Sequence, residues 1–87
     1  MNAQGWPELE GLGVRDALAF FVIFDRPLDF PGHFVVRRQF AVRGEVRNDV
    51  VPRLAASLEK ARELVPPGLY RQPRQDGDDA FIVETWF

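Results

Sequence analysis

Ala17-Leu18-Ala19-Phe20-Phe21-Val22-Ile23-Phe24 is the stretch on which the fold turns, because no other segment of the 87 residues is apolar on both alternating faces. Side chains along a strand point to opposite sides in turn, so Phe20, Val22 and Phe24 face one way and Ala19, Phe21 and Ile23 the other. Such a strand belongs in the middle of a sheet. One helix can cover one of its faces. The other then calls for the N-terminal arm, with Trp6 and the nearby leucines as cover, or for a second copy of the chain, which is the argument for a homodimer.

Working outward, residues 25–33 (Asp-Arg-Pro-Leu-Asp-Phe-Pro-Gly-His) are rich in turn formers and read as the loop that reverses the chain. A second strand follows from Phe34 to Val42, with Phe34, Val36, Phe40 and Val42 on an apolar face that Arg38 interrupts. Residues 43–51 read as a turn or irregular excursion. Leu54, Leu58, Ala61 and Val65 recur at helical spacing. Either Asp49 caps a helix whose first turn holds Pro52, or Ser57 caps a shorter one, and Pro66-Pro67-Gly68 ends it. Residues 66–80 read as a long loop without periodicity, and Phe81 to Phe87 as a closing strand.

The expected architecture is α+β and two-layered. It has a three-stranded sheet of order 2-1-3, chain order β-β-α-β, with one helix packed on one face. Residues 1–16 form a loosely ordered N-terminal arm and residues 17–87 a single α+β domain. A chain this short hides only about 60–65% of its extended surface, which leaves room for stabilisation by a partner.

Composition narrows the function classes. The chain is 46% hydrophobic with 11 aromatic residues, so it folds. It has no cysteine, which removes disulfides, thiolate metal sites and Cys nucleophiles. No apolar run approaches the roughly 20 residues that span a bilayer, and no signal peptide opens the chain, so a cytoplasmic protein without membrane contact is expected. The net charge of −2 is unevenly spread: residues 34–74 are basic and the flanks acidic. Mutual neutralisation within the fold is the simple account, and a nucleic-acid patch the sharper one.

Two segments carry a resemblance. Phe21-Val22-Ile23-Phe24-Asp25-Arg26-Pro27-Leu28-Asp29-Phe30-Pro31-Gly32-His33-Phe34-Val35-Val36-Arg37 is the first, and Pro66-Pro67-Gly68-Leu69-Tyr70-Arg71 with Asp78-Asp79 and Ile82-Val83-Glu84-Thr85-Trp86 the second. Over about residues 21–87 the chain resembles a family of small bacterial proteins to which no activity is attached. The resemblance implies no mechanism. In that family the helix resembles a Thr or Ser followed by Leu-Glu-Glu-Ala-Arg, matched here by Ser57-Leu58-Glu59-Lys60-Ala61-Arg62, which implies the shorter helix.

Candidate sites are few. Asp25, Asp29 and His33 put two carboxylates and an imidazole on one loop, a set that can hold a divalent metal or act as acid and base. Prolines at 27 and 31 forbid the helix that would align them, and Asp and His are ordinary turn formers there. Asp76, Asp78 and Asp79 lack the order of a calcium loop. Ser57 and Thr85 have no nucleophile motif around them. No cofactor is implied.

Arg37, Arg43 and Arg47, with Tyr70, Arg71 and Arg74 in the later loop, are the binding candidates. A nucleic-acid module would set Arg37, Arg43 and Arg47 on one exposed face beside stacking aromatics. Phe34 and Phe40, however, read as core. Arg38 and Glu84, each the lone charge in an apolar strand face, are expected to pair across the sheet. The reading that follows is a small non-enzymatic protein-interaction module. It contacts a protein partner or itself, through a sheet face bearing Phe21 and Ile23 or through the loops at 25–33 and 66–80. A nucleic-acid module and a small metal-dependent enzyme are the alternatives.

Overall fold

The structure, a computed structural model, describes residues 6, 18–42, 44–49 and 51–87. The chain forms β1 (Leu18–Asp25), β2 (Phe34–Val42), β3 (Glu45–Asn48), β4 (Arg53–Ala55), α1 (Leu58–Glu63), β5 (Arg71–Pro73) and β6 (Ile82–Trp86). All strands join one antiparallel sheet in the order β3-β2-β1-β6-β5, and β4 also pairs with β2. The expected three-stranded sheet is therefore wrong. Six strands replace three, because residues 43–51 and 66–80, read as loops, contain β3 and β5, and β4 precedes the helix.

β1 lies between β2 and β6, where both of its apolar faces find neighbours. Its register sets Ile23 opposite Val36 on β2 and Glu84 on β6, and Phe21 opposite Arg38 and Trp86. Between Ile23 and Phe24 the β6 register slips by one residue at Val83, a bulge. β2 and β3 are joined by a two-residue connection at 43–44, since Val42 opposes Glu45. Gly44 sits at φ 81, a left-handed conformation that such tight hairpins demand and glycine adopts without strain.

β3 and β4 lie along the same margin of β2, one pairing with residues 39–42 and the other with 34–36. Between them Asp49 still donates its amide to the Arg38 carbonyl at 2.8 Å. From this margin α1 carries the chain across the sheet to β5 on the far side. Ser57 caps the helix by accepting the Lys60 amide at 3.1 Å, so the helix begins at residue 58 rather than near 50.

The core lies under α1, where Phe21 and Ile23 of β1, Val36 of β2, Ala55 of β4 and Ala61 and Val65 of the helix region pack together. Trp6 belongs to the same cluster. Its ring meets Phe21 edge-on at 5.2 Å, and its Nε1 donates to the Leu64 carbonyl at 2.7 Å. Trp6 thus shares the helix-bearing face and does not cover the opposite one. Phe21 and Ile23 are both buried there, so the face expected to stay open for a partner is closed. On the other side of the sheet Val22 and Val35 are buried, and Phe20 and Phe24 half-buried. The rest of the expected arm at residues 1–16 lies outside the described residues.

Candidate functional site

Glu84 is the most constrained ionisable group among the described residues. The strand alternation aims it under α1, where its side chain is 0% exposed. Burying a bare carboxylate is costly, and four donors answer for it. Arg62 of α1 grips it with Nε and Nη2 at 2.9 and 2.8 Å, Arg71 of β5 with Nε at 2.9 Å, and Trp86 with Nε1 at 2.7 Å. Burial pushes the carboxyl up, but the bonds from Arg62, Arg71 and Trp86 together with the Arg62 charge outweigh it and hold the pKa at about 2, from 4.5. The same bond raises the Arg62 pKa. Both guanidinium groups remain partly open to water. The cluster ties the helix to the two last strands.

The expected Arg38–Glu84 pair does not form. Arg38 lies on the same sheet face but meets Asp49, Nη2 to Oδ2 at 2.7 Å, in a second buried ion pair. Its guanidinium also lies over the rings of Phe40 and Trp6 at 5.2 and 5.6 Å, and Arg53 lies over Trp6 at 5.2 Å. Asp49, read from sequence as a turn residue or helix cap, is therefore a core partner. Its place follows from the register of β3 on β2, which sets it opposite Arg38, and no apolar period in the sequence reports that register.

The loop carboxylates do not converge on His33. Asp25 binds Arg26 through Oδ1 at 2.6 Å, Asp29 binds Arg37 through Oδ2 at 2.8 Å, and His33 is exposed. Among the described residues no group of three His, Cys, Asp or Glu is arranged to hold a metal. A shallow recess of about 310 Å³ opens beside this loop, lined by Phe24, Pro27, Leu28, Arg37 and Phe81 among others. In the acidic turn, Asp78 accepts from the Gln75 amide and Asp79 from the Phe81 amide, both ordinary turn roles. Arg74 closes the same turn through the Asp78 carbonyl at 3.0 Å.

The arginines proposed for nucleic acid do not share a face. Arg37 opposes Val22 on one side of the sheet, while Arg47 opposes Phe40 on the other. Arg47 pairs with Glu45 at 3.3 Å. Arg43 lies outside the described residues. Arg71 is occupied by Glu84, and Tyr70 stands exposed beside Phe87, with which it exchanges both backbone hydrogen bonds.

What the sequence did not reveal is the margin of the sheet. In an antiparallel pair, residues bonded to the neighbouring strand alternate with residues whose backbone groups point away. Because Asp49 bonds Arg38, the positions bonded to β2 are 45, 47 and 49, and the N–H and C=O groups of Val46 and Asn48 point outward. The same parity along β2 turns Leu54 outward. Here Val46, Val51 and Leu54 are 62, 65 and 42% exposed. The opposite margin differs. Tyr70 bonds Phe87, so Arg71 and Pro73 face outward there, and proline has no N–H to offer.

No helix among the described residues is long and apolar enough to cross a membrane. No protein-family model, curated protein or solved structure matches the chain.

Proposed function

We propose that this chain is a non-enzymatic protein-contact module, and that its working surface is the sheet margin along β3 and β4. The observation that supports this most is the coincidence there of outward backbone groups with exposed apolar side chains at Val46 and Leu54, and Val51 between them. An extended polypeptide laid along such a margin gains main-chain hydrogen bonds from the edge and apolar contact from alternate side chains. The β5 margin is a poorer dock, being three residues long and closed by Pro73. An enzyme built on the 25–33 loop is the weaker reading, because Arg26 and Arg37 already engage the two carboxylates on which it depends.

A cytoplasmic setting is part of the proposal. The test is photo-cross-linking in the cytoplasm from benzoylphenylalanine placed singly at 46, 54 or 28. Leu28 is the control, since it is 86% exposed and lies in the loop between β1 and β2, off the β3 and β4 strands. Defined adducts from 46 and 54, and none from 28, are the expected outcome. Adducts no more frequent from 46 and 54 than from 28 would refute the margin as the working surface.

A further inference from the structure

The occupant of that margin can be named from the residues on it, and the inference rests on the margin being the contact surface. We infer that β3 pairs with β3 of a second copy of this chain, antiparallel, about a two-fold axis through Val46. β3 reads Glu45-Val46-Arg47-Asn48, and among the described residues it ends the sheet. Two requirements fix the register. The central residue must have outward backbone groups, which leaves Val46 and Asn48. The flanking charges must also be matched.

Centred on Val46, Glu45 faces Arg47 of the second copy, and Arg47 faces its Glu45. Val46 meets Val46, and Asn48 meets Gly44. Centred on Asn48, Arg47 would face Asp49, which is buried against Arg38 and not available. A centre on Arg47 would set two arginines together and also has its backbone turned towards β2. Only the Val46 register satisfies both requirements.

The facing charges occupy the positions that are not hydrogen-bonded to each other across the new interface, where opposed Cα atoms are closest, about 4.5 Å, and side chains meet best. Within one copy Glu45 and Arg47 already touch at 3.3 Å, with side chains 70 and 64% exposed. A pair this open to water is weakly held, so exchanging it for the intermolecular pairs costs little. Short edge strands and edge charges usually discourage pairing. On β3 the two charges have opposite signs around a valine, which discourages most partners and suits an antiparallel copy of itself. The pairing is only a few residues long, since β3 has four residues, so the dimer is weak and concentration-dependent.

The test uses the charge-reversal variants Glu45→Arg and Arg47→Glu, each at an exposed site, with circular dichroism to verify the fold. Mass is followed by sedimentation from about 10 µM to about 1 mM, the range of weak association. The wild type is expected to shift from monomer towards dimer. Each variant alone sets like charges opposite one another twice, and its dimer dissociation constant rises roughly tenfold or more. An equimolar mixture of the two restores association, since each arginine then faces a glutamate of the other variant. Rescue by mixing cannot come from the pair within one chain, which is like-charged in both variants.

A wild type that stays monomeric throughout overturns the proposal, as do single variants that associate like the wild type or a mixture no better than its components. The margin reading fails separately. If the wild type is monomeric yet position 46 still cross-links another protein, the margin is a contact surface and only the second copy is wrong.

Discussion

Replacing Glu84 by Gln tests the electrostatic tie between the helix and the last strands. The substitution keeps the shape and removes the charge that Arg62, Arg71 and Trp86 surround. The carboxyl pKa is held at about 2, against 4.5 for the free group. Each pKa unit corresponds to ~1.4 kcal/mol of preference for the ionised form. Arg62 and Arg71 are 41 and 46% exposed, so water screens part of that preference. The folded state then gains about 2 kcal/mol from the ionised carboxylate at pH 7.

The folded pKa lies below the unfolded one, so this contribution is complete above 4.5 and is lost as the pH falls towards about 2. With a urea slope of about 1 kcal/mol/M for a small protein, the midpoint of Glu84→Gln at pH 7 is about 2 M below that of the wild type. At pH 3 the gap narrows to less than half, since the unfolded wild type has already taken up its proton. All other carboxylates titrate alike in the two proteins and cancel in the comparison. A gap of the same size at pH 7 and pH 3, or none at pH 7, would refute the reasoning.

Further expectations concern the second buried pair, the core and the margin. Asp49→Asn removes the negative charge that Asp49 sets against Arg38 inside the fold and costs about 3 kcal/mol, lowering the melting temperature by about 12 °C or more. An unchanged transition would mean that the pair contributes nothing. Trp6→Ala empties the site against Phe21 and frees the Leu64 carbonyl, a loss of about 3 kcal/mol in urea denaturation, and a change below about 1 kcal/mol would exclude Trp6 from the core. Val46→Cys introduces a single thiol into a cysteine-free chain. Residues in a hydrogen-bonded antiparallel pair lie about 5.5 Å apart at Cα, within disulfide reach, so mild oxidation gives a covalent dimer that Leu28→Cys does not. Equal dimer from both positions would argue for random collision.

The part of the fold legible from sequence is the part with a hydrophobic period. Residues 18–25 and 34–42 alternate clearly, and 82–86 is rich in β-branched and aromatic residues, so each reads as a strand from its own residues. β3 carries one valine among polar residues and is exposed along its whole length, and β5 is Arg-Gln-Pro. Neither has an apolar side to announce it. They form because a hairpin turn and a neighbouring strand supply hydrogen bonds, which sequence period does not report.

The charges behave in the same way. Arg38 and Glu84 stand out as lone charges within apolar strands, but which partner each takes depends on contacts between distant segments. Asp49 reaches Arg38 from the residue after β3, and Arg62 reaches Glu84 from a helix whose position follows from Ser57. The loop of Asp25, Asp29 and His33, the most suggestive cluster by composition, turns out to be two separate ion pairs and an exposed histidine. The margin at Val46 lay outside every sequence signal, since it follows from hydrogen-bond parity, which only a register supplies.

Amide hydrogen exchange of residues 45–48, followed as protein concentration is raised, tests the central claim most directly. In dilute protein the Val46 and Asn48 amides point away from β2 and exchange fast, whereas Arg47 is already bonded and slow. With increasing concentration Val46 and Asn48 are expected to slow together while Arg47 changes little. Exchange at Val46 and Asn48 that is already slow in dilute protein, or that is the same at every concentration, would contradict the account.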